Sequence, residues 1–321
     1  MSTKSRMADY RLTIIDALDA MRKKSVADKE PFKARAYQKV IVQLKNMNAF
    51  GKEDISLLEG AGNKITMKIL EIIETGSLAS AETAKKKYNL DALDAFQQIY
   101  GVGPVTAAAL LEKGITTIDE LRDAVEDEPG LLNEKQKIGL AYYEPLLERI
   151  PYKEMLKHET VLLETLKEVN ESVRGDVVGS FRRSAASSGD IDLLIRGSIP
   201  IPTFVALLEK RGYVLETLAQ GKNKFMGICS LGTPRRLDIL VTDEKEYPYA
   251  LLYFTGSQQF NIAMRNHALA QGYSLNEHGL TPFIAKPAPP PCTAERDIFI
   301  FLGLNYVEPR HRVDGKQIHL L

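Results

Sequence analysis

Two hydrophobic periods divide this chain, and together they predict a multidomain α plus α/β protein: a helical N-terminal half, then a mixed sheet with helices, then a small α+β segment. Before residue 170, apolar residues recur every three and four positions, as at Ile14, Ala17, Leu18 and Met21, at Tyr37, Val40, Ile41 and Leu44, and at Ile65, Ile69, Ile72 and Ile73. Gly or Pro stands between these runs, and alternating stretches are scarce. Beyond about residue 175 the pattern changes. Val177 and Val178 lead into a Gly/Ser-rich loop, 191–195 reads as a strand, 203–210 as a helix, and 225–230 and 235–242 as strands joined by a Gly-Thr-Pro turn. Residues 295–302 read as a last amphipathic helix ending near Gly303, and 287–292 as a polyproline-like connection rather than a binding motif.

Composition narrows the function classes. The chain has 321 residues, 44% apolar and 26% charged, which is ordinary for a globular protein of two or three domains and excludes collagen-like or disorder-dominated readings. Its apolar runs are short and interrupted, and the first residues lack the apolar core of a signal peptide, so an intracellular protein with no membrane partner is expected. Cys229 and Cys292 stand far apart without further ligands at metal spacing, which argues against zinc and disulfides. The formal net charge is zero, yet residues 1–50 carry eleven Lys or Arg, Lys4 and Arg6 among them, against five acids. A basic module tethered to an acidic body suits nucleic-acid binding; a solvated basic face gives the same count.

Two short segments repeat one pattern. Gly60 and Gly62 follow Leu58, and Gly101 and Gly103 follow Ile99, each pair forming a Gly-x-Gly turn between helices. Glycine lets a tight turn bring its backbone close to a phosphate, and the N–H groups opening the next helix then point at it. An ordinary connection between two helices would also satisfy the pattern.

The richest stretch is 179–195, where Gly179, Ser180, Arg182, Arg183, Ser188 and Gly189 run into Asp190 and Asp192 and then into apolar sequence. Carboxylates at i and i+2 of a strand point to one face, and two like charges held together call for a hard cation such as Mg²⁺, whose shell phosphates and water complete. The preceding loop offers hydroxyls, backbone N–H groups and a guanidinium fork for those phosphates. Asp238, between Leu237 and Ile239, faces away from its apolar neighbours in the same manner.

The string 179–192 resembles the nucleotidyltransferase signature and, in detail, that of family X DNA polymerases; the run Tyr253, Phe254, Thr255, Gly256, Ser257 resembles the nucleotide-selection part of that family, and the two glycine turns its helix-hairpin-helix elements. The likeness covers roughly residues 10–312. It implies a division into a helical 5′-deoxyribose-phosphate lyase-like domain with the first hairpin at 1–84, a helical DNA-binding subdomain with the second at 85–148, a catalytic palm at 149–244 and a nucleotide-selection subdomain at 245–321.

The resemblance also implies roles. Asp190, Asp192 and Asp238 would hold two Mg²⁺ ions, with Mn²⁺ as a substitute, one ion activating the primer 3′-hydroxyl and the other gripping the triphosphate. Asp238 would accept the hydroxyl proton. Gly179, Ser180, Arg183, Ser188 and Gly189 would clamp the β and γ phosphates, while Arg182 has a structural alternative. Tyr253, Phe254 and Gly256 would line the sugar of a deoxynucleoside triphosphate, Asn261 would meet the base, and Arg236 and Arg265 would contact DNA. Gly60, Gly62, Gly101 and Gly103 would meet phosphates. Backbone carbonyls of Ser56, Leu58 and Ala61, and of Gln97, Ile99 and Val102, would hold Na⁺ or K⁺.

A second activity follows from the same likeness. Lys64 and Lys68 lie four apart on the helix after the first turn, so both emerge on one face. Lys68 falls at the family's Schiff-base position, with Lys33, Tyr37 and Lys64 completing a pocket for a 5′-phosphate. Phe32 and Ser80 stand where the family has His and Lys, Gln258 where it has Asp, and His278 where it has Tyr. The expectation is a monomeric gap-filling polymerase of base excision repair, acting on gapped or nicked DNA with a 5′-phosphate and working in the nucleus, with a cytoplasmic or viral setting left open. A template-independent nucleotidyltransferase and a non-catalytic gapped-DNA scaffold are the competing readings.

Overall fold

The computed structural model describes residues 9–45, 47, 49–284 and 286–321. Lys4 and Arg6, counted in the basic excess, lie outside the described residues. Chain contacts divide the protein into two compact units, residues 1–136 and 137–321.

The first unit is helical, as its 3–4 periodicity predicts. It contains α1 (Arg11–Ala27), α2 (Pro31–Lys45), α3 (Asn63–Thr75), α4 (Ala79–Tyr88), α5 (Leu90–Gln98), α6 (Pro104–Glu112) and α7 (Ile118–Asp127), and α8 (Glu134–Ala141) begins in it. Ile14, Leu18, Val40, Ile41, Leu44, Ile69 and Ile72 pack into one core with Phe50 and Leu58. Each start signal has a local cause: Pro opens α2 and α6, Gly62 and Gly103 precede α3 and α6 in extended conformation, and Thr117 caps α7 reciprocally with Glu120.

The second unit opens with α9 (Tyr143–Leu147), β1 (Ile150–Pro151), α10 (Tyr152–Val169), β2 (Arg174–Val177), α11 (Gly179–Arg182) and β3 (Ser187–Ser188). There follow β4 (Ile191–Arg196), α12 (Ile201–Lys210), β5 (Val214–Gln220), β6 (Lys224–Ser230) and β7 (Pro234–Thr242). Five of these strands form a sheet in the order β2-β4-β7-β6-β5, in which β4 and β7 run parallel and the other neighbours antiparallel. Ile191, Leu193 and Ile195 of β4 and Leu237, Ile239 and Val241 of β7 point into a core shared with residues of α10 and α12. The alternate residues face the other way. There Leu194 and Leu240 are covered by Tyr247, Ala250, Leu251 and Phe254, while Asp192 and Asp238 lie further along the same face. The strand β5 carries no clean alternation, and its pairing with β6 is broken twice by register shifts.

The remaining elements are α13 (Tyr247–Thr255), α14 (Gln258–Ala270), a hairpin of β8 (Tyr273–Asn276) and β9 (Gly279–Pro282), and α15 (Glu295–Phe301). They close around Phe260, Met264, Ile298, Phe299 and Leu302. Cys229 and Cys292 are both free and buried, in agreement with a structural role. Among the described residues no helix is long and apolar enough to cross a membrane.

A buried charge cluster ties α11 to α15. The guanidinium of Arg312, fully buried, donates to Glu295 Oε1 at 2.7 Å, and Arg182 donates to both carboxylate oxygens of Glu295, at 3.1 and 2.8 Å. Burial opposes ionisation of Glu295, but the bond from Arg182 and the charge of Arg312 prevail and hold its carboxyl below the usual range. Removing one member of such a cluster strands the others. Glu295→Ala is therefore expected to cost about 3–5 kcal/mol in urea unfolding. Since the folded carboxyl titrates lower than the unfolded one, this contribution is present above the unfolded value and lost as pH falls through the folded one. An unchanged urea midpoint at pH 7 would show that the cluster is not structural.

Candidate active site

The parallel register of β4 and β7 sets Asp192 directly beside Asp238. With Val178, Lys224, Leu240 and Phe254 they line a cavity of about 60 Å³. The Oδ1 atom of Asp238 is buried without a hydrogen-bond partner, and the nearest ion-pairing group, Arg236 Nε, is 3.7 Å away. Burial, and then the charge of Asp238, push the Asp192 carboxyl up to about 6. Burial raises Asp238 as well, against the pull of Arg236 and Lys224. Crowded carboxylates that line a small cavity, one of them with an orphaned oxygen, are a donor set suited to a hard cation.

Asp190 is placed differently. It stands one residue before β4, and its Oδ2 accepts a hydrogen bond from Arg236 Nη2. Among the described residues no three acidic, His or Cys side chains converge as a ready-made metal cluster. The reason is visible in β7: Arg236 lies two residues before Asp238, hence on the same face, and takes the most accessible carboxylate. Arg236, expected on DNA, is thus engaged with the acids. Lys224 was not anticipated from sequence; the pairing of Met226 with Asp238 puts it on the carboxylate face as well.

The preceding loop is more ordered than its Gly/Ser content suggests. It starts as the single helical turn α11, entered through Val178 N–H donating to Asp192 O at 2.8 Å. Gly179 has φ +62°, and a Cβ there would lie 2.5 Å from Asp192 Oδ2, so only glycine lets the loop pass the carboxylate. Ser180 Oγ donates to Ser188 Oγ at 2.9 Å and Ser188 is buried, which joins the two ends of the loop beside Gly189. Arg183 donates to Thr255 O at 2.6 Å. Arg182 donates to Thr255 Oγ1 at 2.6 Å besides its bonds to Glu295, which makes its role structural.

The residues expected to meet a nucleotide are likewise assembled. Tyr253 and Phe254 pack edge to face at 5.0 Å, at the end of α13 before buried Gly256 and a cis Gly256–Ser257 peptide. Asn261 Nδ2 donates to Tyr253 O at 2.6 Å. The Arg265 guanidinium lies 5.1 Å from the centre of the Tyr253 ring and 3.6 Å from Glu277 Oε2. His278 is 3.0 Å from Glu246 Oε2, whose hydrogen bond raises the imidazole above its usual range. Gln258 begins α14, after Ser257 whose hydroxyl caps that helix.

In the first unit, Lys33, Tyr37, Lys64 and Lys68 line one cavity of about 700 Å³ together with Lys24, Glu30, Met67 and Glu71. Lys33 Nζ is 2.5 Å from Glu30 Oε1, and Tyr37 is buried, which raises its phenol. Phe32 is 81% exposed. Ser80 has a buried hydroxyl without a partner. The sequence offered no sign of Lys24, Glu30 or Glu71, which arrive from the end of α1, the residue before α2 and the next turn of α3.

The two glycine turns have matching geometry. Gly60 and Gly101 have φ of +79° and +81°. Leu58 N–H donates to Ile55 O and Ile99 N–H to Phe96 O, at 3.2 and 3.1 Å. Of the carbonyls expected on a monovalent cation, Leu58 O accepts Ala61 N–H at 3.5 Å, Ile99 O accepts Val102 N–H at 3.0 Å, and Ala61 O accepts Thr66 Oγ1 at 3.2 Å.

Comparison with known proteins agrees with this geometry. The sequence model of the fingers domain of DNA polymerase lambda matches residues 94–147, that of the DNA polymerase beta palm 149–244 and that of the DNA polymerase beta thumb 250–313. The chain belongs to the X family of DNA polymerases. Among its X-family relatives, DNA polymerase lambda of Rattus norvegicus is 30% identical over 97% of this chain and 57% of that protein. DNA polymerase lambda of Arabidopsis thaliana is 28% identical over 81% of this chain and 54% of that protein. The chain thus spans about half the length of the curated relatives it matches.

A stability effect follows from the crowding of Asp192. An acid whose folded value is raised to about 6 makes the folded state the tighter proton binder, so stability falls as pH rises from about 4 through 6 and the full penalty is felt at pH 7. Asp192→Asn should therefore stabilise the protein in chelator-containing buffer at pH 7 by up to about 3 kcal/mol, with the difference vanishing near pH 4. Added divalent cation should raise the melting temperature of the wild type and leave that of the variant nearly unmoved.

Proposed function

We propose that this chain is a DNA-directed DNA polymerase that fills short gaps in base excision repair and carries 5′-deoxyribose-phosphate lyase activity in its N-terminal helices. The observation that bears most weight is the pairing of Asp192 with Asp238 on parallel strands, with a buried unpartnered oxygen, beside a glycine-entered loop of phosphate-binding character. Asp192 and Asp238 fit a divalent metal, and Asp190 joins them on leaving Arg236. Bound Mg²⁺, with Mn²⁺ able to replace it, would supply Lewis-acid stabilisation of the triphosphate and of the attacking primer oxygen.

The chain's own groups do the rest. Asp238 accepts the proton of the primer 3′-hydroxyl. Ser180, Arg183, Ser188 and the backbone at Gly179 and Gly189 receive the β and γ phosphate charge that grows as the bond to the α phosphorus breaks. Tyr253, Phe254, Gly256 and Asn261 seat the deoxynucleotide, and Arg265 and Arg236 turn to DNA when it binds. Residues 1–84 act as lyase domain, 85–148 as DNA-binding subdomain, 149–244 as palm and 245–321 as nucleotide-selection subdomain. Gly60, Gly62, Gly101 and Gly103 present the two helix-hairpin-helix turns to phosphates, and the carbonyls of Ser56, Leu58 and Ala61, and of Gln97, Ile99 and Val102, would hold Na⁺ or K⁺ beside them. The protein works as a monomer in the nucleus.

In the lyase reaction the Lys68 amine adds to the C1′ aldehyde of a 5′-abasic sugar and water leaves, giving an iminium. Loss of a C2′ proton then breaks the C3′–oxygen bond and releases the phosphate-bearing DNA end. The clustering of Lys33, Tyr37, Lys64 and Lys68 about one cavity supports this reading.

Asp238→Ala should abolish nucleotide incorporation on a gapped primer-template while leaving gapped-DNA affinity nearly unchanged, because loss of a metal ligand and proton acceptor costs roughly several powers of ten in rate. Retention of more than about a tenth of wild-type turnover would overturn the assignment.

Borohydride should trap the wild type covalently on a 5′-abasic end, and Lys68→Ala should remove most of that adduct without slowing gap filling. A variant that traps as well as the wild type would move the nucleophile to another lysine of the same cavity.

A further inference from the structure

The connection from β9 to α15 contains the run Lys286-Pro-Ala-Pro-Pro-Pro, in which residues 287, 289, 290 and 291 are proline. Proline has no N–H and fixes φ, and each residue before a proline is pushed out of the helical region, so the run can join neither helix nor sheet and favours polyproline II. It lies in neither element here. Polyproline II has three residues per turn, so the run has three edges: 286 with 289, 287 with 290, and 288 with 291.

The structure sorts these edges. Lys286 lays its aliphatic chain against Gly272, where a Cβ would come within 2.9 Å of Lys286 Cε, and its N–H donates to Phe283 O at 3.1 Å. Pro289, on the same edge, is half-buried, whereas Lys286, Pro287, Ala288, Pro290 and Pro291 are exposed. One edge therefore touches the protein, through Pro289 and the stem of Lys286, and the other two are bare. The run is held at both ends. Tyr273, a core residue, donates its hydroxyl to Pro287 O at 3.3 Å, and Cys292 is buried in the same core.

We propose that residues 286–291, which the sequence alone reads as a connection and not a binding motif, are a docking segment for a partner module whose aromatic-lined groove reads polyproline II. Such grooves seat successive prolines from an extended ligand and gain from its low conformational entropy. Anchorage at Tyr273 and Cys292 removes still more of that entropy before binding, and the two bare edges supply the contact surface. Stiffness alone would not require them to be bare together, and Ile284, two residues before the run, is fully exposed as well. The inference is independent of the polymerase reading.

The test titrates the fluorescently labelled full chain with purified SH3, WW and EVH1 domains as probes, with thermal melts to verify folding. At least one class should bind saturably. The double substitution Pro287→Ala with Pro290→Ala, which strips one bare edge, should weaken that binding about tenfold or more. Pro289→Ala, on the inward edge, should leave it nearly unchanged. Failure of all three classes to bind the folded chain would overturn the proposal, as would a double variant that binds like the wild type.

Discussion

Two carboxylates held side by side with a buried, unpartnered oxygen are the constraint around which the second unit is organised. Asp192 and Asp238 are there because β4 and β7 run parallel in a register that also pairs Ile191 with Leu237 and Leu193 with Ile239. The apolar partners on the opposite face drive the pairing, and the period of two carries the acids along with them. A slip of one residue would bury both acids and expose the aliphatic set. The hydrophobic core thus fixes the site's geometry, while the acids themselves contribute a penalty seen in the raised Asp192 carboxyl. Sites of this kind keep strain locally because the surrounding packing over-determines them.

The first unit solves a gentler electrostatic problem. Its large cavity mixes Lys24, Lys33, Lys64 and Lys68 with Glu30 and Glu71, and Lys33 and Lys24 are paired to Glu30 and Asp28 at 2.5 Å. These pairs are exposed or partly so and are worth little in stability. They keep the lysines from repelling one another while leaving each available to a stronger partner such as phosphate, whose charge and donor demand exceed those of a single carboxylate. The net basic excess of the N-terminal stretch is in this way compatible with a stable helical core.

How much was legible in the sequence depended on range. Local patterns were clear: the helical period before residue 170, the alternation around Asp192 and Asp238, the glycines at 60 and 101 and the isolation of the two cysteines all have causes within a few residues. The strand β5 was missed because its exposure pattern follows a bulged pairing with β6 rather than simple alternation. The cluster of Arg182, Glu295 and Arg312 was missed because its members are up to 130 positions apart by their numbers, and nothing near Glu295 distinguishes it from a surface acid in the first turn of a helix. Lys224 escaped for the same reason, since its place beside the carboxylates is set by pairing with another strand.

Two arginine doublets show where such reading stops. Arg235 and Arg236 are neighbours on β7, so their side chains go to opposite faces. Arg235 is buried, bonds Glu154 at 2.8 Å and the carbonyl of Glu148 at 3.1 Å, and ties the strand to α10; Arg236 holds Asp190 at the site. Arg182 ends the short helix α11 and Arg183 follows as its C-cap, one reaching the buried Glu295 and the other the Thr255 carbonyl. In each doublet one guanidinium is part of the scaffold and one faces the site, although the residues are chemically identical. The sequence shows that cations are needed at these places. Which one is structural is decided by the face of a strand or turn, and hence by the packing of the whole unit. Exchange of either scaffold arginine for lysine would lose the two-pronged bond to a carboxylate that a planar guanidinium makes, so the scaffold positions are the more restrictive members of each pair.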